Sequence, residues 1–354
     1  MSRISRNRKT IGLREDWRNL ISDHVIDLCW SPRKKKVAAA AVSGPTTIFN
    51  AETGDVDHIL EGHRFGTMAI AWHPDEDILA TAGQDGKARL WSSESGKLLT
   101  ELGCGASWVE HVSWSTDSRQ ERILATSAGK KLRFWSTNGN LIGEALDQPS
   151  TISDIQWNPQ ENILASISYG GIKLWSPGTA KELRTFDWQG SALTIDWSPN
   201  TRFIATGDQD STVHFWFVET GQDLQMSGYP TKIRELSWDK SSRYLATGGG
   251  SQVVIWDCSG KGPEGRSAIM LDEHEDFLVD IAFQHHGGLL ASAGLDGLLA
   301  IWEPVTGRKR KQPKVRISFD KSLTKVAWSS DDSRILVGDD SGIITVFTLE
   351  SKSQ

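Results

Sequence analysis

The side chains that could do chemistry are sparse and mostly isolated. His73 and the pair His285-His286 follow strand-like runs far apart in the chain, and His24, His58, His111 and His214 stand alone. Cys29, Cys104 and Cys258 are scattered, which fits neither a disulfide framework nor a zinc spacing. Serine-rich spots such as Ser92-Ser93 lie in turns with no histidine and aspartate in register, so no hydrolytic triad is indicated. Gly248-Gly249-Gly250 reads as a hairpin and does not open a helix, which excludes a phosphate loop. No carboxylate cluster is aligned along the chain. The expectation is no enzyme, no metal site and no cofactor. What does recur is a four-residue set. His63, Thr81, Asp85 and Trp91 are matched at the same spacing by His274, Ser292, Asp296 and Trp302.

The stretch Gly62 to Trp91 shows what positions the first set. Thr67 to Trp72 alternates, with Met68, Ile70 and Trp72 on one face of a strand. His73-Pro74-Asp75 breaks it, because proline cannot donate to a ladder. Ile78 to Thr81 is a second strand, Asp85-Gly86 a tight hairpin turn, and Lys87 to Trp91 a third strand. Lys97 to Leu102 makes a fourth. Such a small sheet cannot bury both faces alone and must stack on copies of itself. The copies are present. An aromatic ends the first strand at Trp30, Trp72, Trp114, Trp157, Trp197, Trp238, Phe283 and Trp328. Another ends the third strand at Phe49, Trp91, Trp135, Trp175, Trp216, Trp256, Trp302 and Phe347. Both columns step by 40 to 46 residues and absorb 13 of the 16 tryptophans, so these rings read as packing anchors between sheets.

With its two complete sets at this period, the chain resembles the WD-repeat (WD40-type) β-propeller family over nearly its whole length. The resemblance implies that each set forms a hydrogen-bonded tetrad running from histidine through Ser/Thr to tryptophan, with aspartate holding the histidine. Thr206, Asp210 and Trp216 keep part of a tetrad in unit 5, with Trp188 in the histidine column. Units 3, 4 and 6 are shortened, and units 1 and 8 are degenerate. The expected fold is all-β, a closed propeller of four-stranded antiparallel blades. Eight blades are expected, the N-terminal strand closing the last one because unit 8 has only three strands of its own. The expected division is a basic tail at 1–14, a single propeller at 15–349 and a short tail at 350–354.

Composition adds bounds. The chain carries 39 Lys+Arg against 45 Asp+Glu, a net charge of −6. No run is apolar enough to span a membrane, and no signal-peptide pattern is seen. Scattered cysteines suit a reducing, cytoplasmic setting. Three basic clusters stand out: Arg3, Arg6, Arg8 and Lys9; Arg33, Lys34, Lys35 and Lys36; and Arg308, Lys309, Arg310 and Lys311 with Lys314 and Arg316. In a propeller all three map to the bottom of units 7, 8 and 1, one basic sector open to an anionic partner. No aromatics interleave these residues, which argues against single-stranded nucleic acid. On the opposite, top face lie the loops between strands four and one and between strands two and three. They carry Phe65, Trp108, Tyr169, Trp188, Tyr229, Phe277 and Phe319, and Gln84, Gln209 and Leu295 precede the tetrad aspartates. The family resemblance implies a protein-interaction scaffold or adaptor that binds a partner protein or peptide over this face, the chain being monomeric alone or part of a larger complex. The alternative is a nucleic-acid-associated or other anion-binding factor that works through the basic sector.

Overall fold

The computed structural model describes residues 10–304 and 312–352. All regular structure among them is β, in thirty antiparallel-paired strands. Unit 2 sets the pattern, with Thr67–Trp72, Ile78–Gly83, Lys87–Ser92 and Leu98–Gly103 pairing in chain order. The alternation read in the sequence becomes an inner strand whose two faces pack against neighbouring sheets.

Strand pairing corrects the expectation of eight four-stranded blades. It yields seven: six four-stranded blades and one double-width blade of six strands. The wide blade contains units 4 and 5, which were expected to be separate. In it, Leu164–Ser176 pairs with Asp154–Trp157 at one end and with Lys181–Trp197 at the other. Lys181–Trp197 continues without a break to pair with Phe203–Asp208. The pair Tyr169↔Ser191 joins the two halves. Backbone chemistry explains the fusion. Gly170 and Gly171 sit at φ 105° and 120°, and a Cβ on Gly171 would meet the Phe186 carbonyl at 2.0 Å. Two glycines therefore let the chain turn so tightly that no loop separates the ladders.

The ring closes through the N-terminal segment. Thr10–Leu20 pairs antiparallel with Ile343–Lys352, so the paired chain extends beyond 15 and 349 at both ends. Inner strands then pack side by side around the channel, Val25–Trp30 lying between Leu323–Trp328 and Thr67–Trp72.

The first-strand aromatics do more than fill space. Each of five indoles donates to a carbonyl of the preceding unit: Trp30 to Ala327 at 3.0 Å, Trp72 to Cys29 at 3.3 Å, Trp157 to Ser113 at 3.1 Å, Trp238 to Asp196 at 3.3 Å and Trp328 to Ala282 at 3.0 Å. A polar atom buried by packing is thereby satisfied across the seam between units.

Candidate functional site

Both complete tetrads assemble. In unit 2 the Trp91 indole donates to Thr81 Oγ1 at 3.0 Å, the threonine hydroxyl donates to His63 Nε2 at 2.8 Å, and His63 Nδ1–H donates to Asp85 Oδ1 at 2.8 Å. This direction is forced, because a carboxylate only accepts and an indole only donates. Burial lowers the pKa of His63, which suits a neutral ring with one donor and one acceptor nitrogen. Unit 7 repeats the chain through Trp302, Ser292, His274 and Asp296 at 2.8, 2.8 and 3.1 Å. These groups are saturated by one another, so they tie loops to strands and have no spare valence for chemistry.

Incomplete units find other solutions. In unit 6 Tyr229 replaces the histidine. Its hydroxyl accepts from the Trp256 indole at 2.7 Å and bonds Thr247 Oγ1 at 2.8 Å. Burial pushes this phenol up to about 12. Tyr229 is therefore not a surface contact as the sequence suggested, since its polar end is committed inside. We expect Tyr229→Phe to lower stability by about 1–3 kcal/mol, because it leaves a buried indole N–H unpaired. Urea unfolding of the two proteins measures this, and coincident curves would refute it. In unit 3 the Cys104 thiol lies 3.6 Å from Thr126 Oγ1, which accepts from Trp135 at 2.9 Å. In unit 4 Trp175 donates directly to Ser166 at 2.8 Å.

Unit 5 departs from expectation. Thr206, Asp210 and Trp216 do not form a partial tetrad: among the described residues Thr206 Oγ1 and Trp216 Nε1 have no partner, and Asp210 accepts from Thr212 at 2.6 Å. Trp188 cannot bridge them, and its ring packs on His214 at 4.4 Å. Buried in the same place is Asp208, its Oδ2 3.9 Å from His214 Nε2. His214 Nδ1 is held by Asp223 at 2.9 Å. Burial, with the charge of Asp210, pushes Asp208 up to about 8. The folded chain thus keeps this proton over a range where the unfolded chain, with its ordinary value of 3.8, has lost it. Stability from this group is full below the lower value and is lost as pH rises through the window. Asp208→Asn should accordingly flatten the fall in Tm between about pH 4 and about pH 8. Parallel Tm profiles for the two proteins would overturn this.

On the top face, Phe65, Trp108, Tyr169, Phe277 and Leu295 are exposed by 71, 50, 54, 50 and 41%. Phe65 holds φ at 72°, an unfavourable backbone for an aromatic residue, and its ring lies 4.9 Å below the Arg64 guanidinium. Phe277 and Leu295 adjoin through a 2.9 Å backbone bond from Leu295 N–H. Gln209 is exposed, whereas Gln84 is half-buried and bonds Met68 Sδ at 3.4 Å. Two further residues leave the surface set. Trp188 is half-buried, and Phe319 packs edge-on against Phe347 at 6.2 Å, where unit 8 has lost its tetrad.

The basic sector is reduced. Lys34 pairs with Asp331 at 2.7 Å, Lys36 with Asp57 at 2.7 Å, and Arg33 with Asp77 at 3.3 Å, which leaves Lys35 exposed. Each cation of this loop was read without the acid that topology brings beside it. Lys314 and Arg316 also have partners, Glu303 and Glu273, both at 2.6 Å. Residues 1–9 and Arg308, Lys309, Arg310 and Lys311 lie outside the described residues.

One set of residues was missed. Three positions before the first-strand aromatic stand Asp27, His111, Asp154, Glu235, Asp280 and Lys325, with Ala69 and Thr194 completing the column. The reading that no carboxylates align is therefore corrected. Their common offset was the available signal. The strand bulges at Asp27 and at Asp280, and the three aspartates staple forward: Asp27 Oδ2 accepts from Ile70 N–H at 2.9 Å, Asp154 Oδ2 from Ile195 at 3.1 Å and Asp280 Oδ2 from Val326 at 3.0 Å. Each stapled amide belongs to the next unit.

Among the described residues no helix is long and apolar enough to cross a membrane, and no three His, Cys, Asp or Glu side chains are placed to hold a metal ion.

Comparison with known proteins fits this architecture. The family described as IFT122 first beta-propeller matches residues 24–264, and the WD domain, G-beta repeat, matches 265–303. WD repeat-containing protein 1 of Gallus gallus is 24% identical over 339 residues, covering 82% of this chain and 55% of that protein. Protein FIZZY-RELATED 3 of Arabidopsis thaliana is 29% identical over 167 residues, covering 45% of this chain and 34% of that one. The chain thus spans little more than half the length of these curated relatives at most. The crystal structure of the computationally designed Ika8 protein superposes with a TM-score of 0.78 at 20% identity, over 93% of this chain and 98% of that one, a likeness of fold alone. By its matched family and its assembled tetrads, this chain belongs to the WD-repeat β-propellers, in the family described as the IFT122 first beta-propeller.

Proposed function

We propose that this chain is a non-catalytic scaffold that binds a partner protein or peptide across its top face. The observation that carries the reading is the division among the top-loop aromatics. Tyr229 turns inward to take over tetrad bonds and Trp188 and Phe319 pack inward where tetrads are lost, whereas Phe65, Trp108, Tyr169 and Phe277 stay in solvent with no such structural use. Large rings held on loops above a rigid ring of sheets make good energetic anchors. The saturated tetrads argue for support of those loops and against catalysis. Three free thiols, two of them buried, suit a reducing compartment, and a cytoplasmic setting is part of this reading.

Trp108→Ala and Phe277→Ala should each melt like the parent protein, since neither ring is buried. Each should weaken partner binding by about 2 kcal/mol, roughly thirtyfold. Affinity capture of the parent and both variants, compared by quantitative mass spectrometry, tests this. Equal recovery of the same proteins by all three would sink the top-face site. Recovery that vanished with nuclease or moderate salt would instead favour an anionic partner at the bottom. The ion pairs of Arg33, Lys34 and Lys36 weigh against that outcome.

A further inference from the structure

The channel below the top face is charged in a way that selects a partner, an inference that rests on the reading just given. Its wall carries Asp27, Asp154, Asp196, Glu235 and Asp280, all only partly exposed, against His111 and Lys325. That these groups share one space is shown by Lys325, which feels the charges of Asp280, Asp27, Asp154 and Glu235 from four different units. Lys325 forms no ion pair within 4.0 Å among the described residues, so it offsets the carboxylates only at a distance. Their positions are fixed: Asp27, Asp154 and Asp280 are held by backbone amides of the next unit, and Glu235 by Gly249 N–H at 3.1 Å. Burial raises Asp27, Asp280 and Glu235 above their ordinary values and pushes Asp196 up to about 7. The chief cause is burial, and a cation brought beside these carboxyls would draw them back to the ionised form. The carboxylates are too dispersed to gather round a metal ion. A cation on a flexible stem, able to meet one wall or another, fits better.

The rim adds the second half. Phe277 and Leu295 form an apolar step beside exposed Glu275 and Asp276, while Trp108 and Tyr169 rise from other units. The Arg64 guanidinium already lies over the Phe65 ring, so these faces accept cations as well as apolar groups. We propose that the top-face partner is a peptide segment with a lysine or arginine set among apolar residues. The apolar side chains lie on the aromatic rim, and the cation enters the mouth of the carboxylate-lined channel. Low-dielectric walls on which carboxylates outnumber cations focus their field on the opening, so both capture rate and affinity depend on that cation.

Random peptides displayed on phage and selected on the full chain test this directly. Enriched peptides should carry Lys or Arg beside aromatic or aliphatic residues. A synthetic peptide from the enriched set should lose roughly tenfold in affinity when its basic residue is replaced by norleucine or when the protein carries Glu235→Gln. Lys325→Met, which removes the competing cation, should tighten binding. Acidic or uncharged peptides that still require Trp108 would overturn the cationic partner and leave the top-face reading intact. Peptides indifferent to Trp108→Ala and Phe277→Ala, or no enrichment at all, would overturn both. Glu235→Gln is judged only if it melts like the parent, and Lys325→Met decides the matter if it does not. Affinity unchanged by Lys325→Met would then count against the proposal.

Discussion

Removal of residues 1–21 should leave a protein that aggregates or melts far below the full chain. Thr10–Leu20 contributes ten paired positions to the last sheet, and its loss bares the backbone of Ile343–Lys352 as an open edge. The segment is also anchored sideways. Trp17 is buried, donates to the Ala51 carbonyl at 3.0 Å and packs its ring 5.8 Å from Phe49. Asn19 donates to the Gly54 carbonyl at 2.8 Å. Ile11 and Leu13 pack against the core around Trp328 and Phe347. Loss of the Trp17 side chain alone should cost about 3–5 kcal/mol, a large part of the roughly 5–15 kcal/mol that keeps a domain folded. Calorimetry and size-exclusion chromatography of the deletion protein and of Trp17→Ala decide the matter. A deletion protein that is monodisperse and melts like the parent would show that the ring does not need this strand.

Trp302→Ala should be nearly as damaging. Trp302 is among the largest fully buried side chains, and it heads the unit 7 tetrad. Truncation should cost about 3–5 kcal/mol for the cavity and about 1 kcal/mol more for the bond that Ser292 Oγ no longer accepts. Conservative replacement separates the two parts. Trp302→Phe keeps most of the packing and breaks only the indole bond, for about 1–2 kcal/mol. In unit 5 the same change should cost less, because the Trp216 indole has no partner to lose among the described residues. Chemical unfolding of Trp302→Phe and Trp216→Phe therefore reads out whether a tetrad is connected. Equal losses at the two positions would mean that it is not.

How much of this was legible depended on what spacing can carry. The two tryptophan columns and the sets at His63 and His274 are fixed by sequence offset, and they assembled as spaced. Trp17 was also readable, as part of a segment placed where the ring lacked a strand. Offsets do not report whether two ladders share a strand, so the fusion at Tyr169 and Ser191 stayed hidden behind the shortened turn at Gly170-Gly171. Nor do they show which residue reaches into a vacated position. Tyr229 was read as a contact because its column faces the top, yet its longer side chain returns the hydroxyl to Trp256. Arg33, Lys34 and Lys36 were read as free charge because Asp77, Asp331 and Asp57 are distant in sequence. The Asp27, Asp154 and Asp280 column was available at constant offset. It was overlooked because the aromatic anchors, not the positions before them, were aligned.

The indole staples run in one direction around the ring, each unit holding the one before it, and they are not evenly distributed. Trp114 and Trp197 have no acceptor among the described residues. At Trp197 the gap is covered, since units 4 and 5 share a continuous sheet. At Trp114 no shared ladder spans the seam, and His73 packed edge-on at 4.6 Å is a lesser substitute. Phe283 of unit 7 has no side-chain N–H to give, so units 6 and 7 also lack a staple. The unstapled seams use other fastenings, Arg122 on Asp75 between units 2 and 3 and the Phe283 backbone N–H on Ser237 Oγ at 2.9 Å between units 6 and 7, so the circle is held by unlike clasps rather than one repeated device.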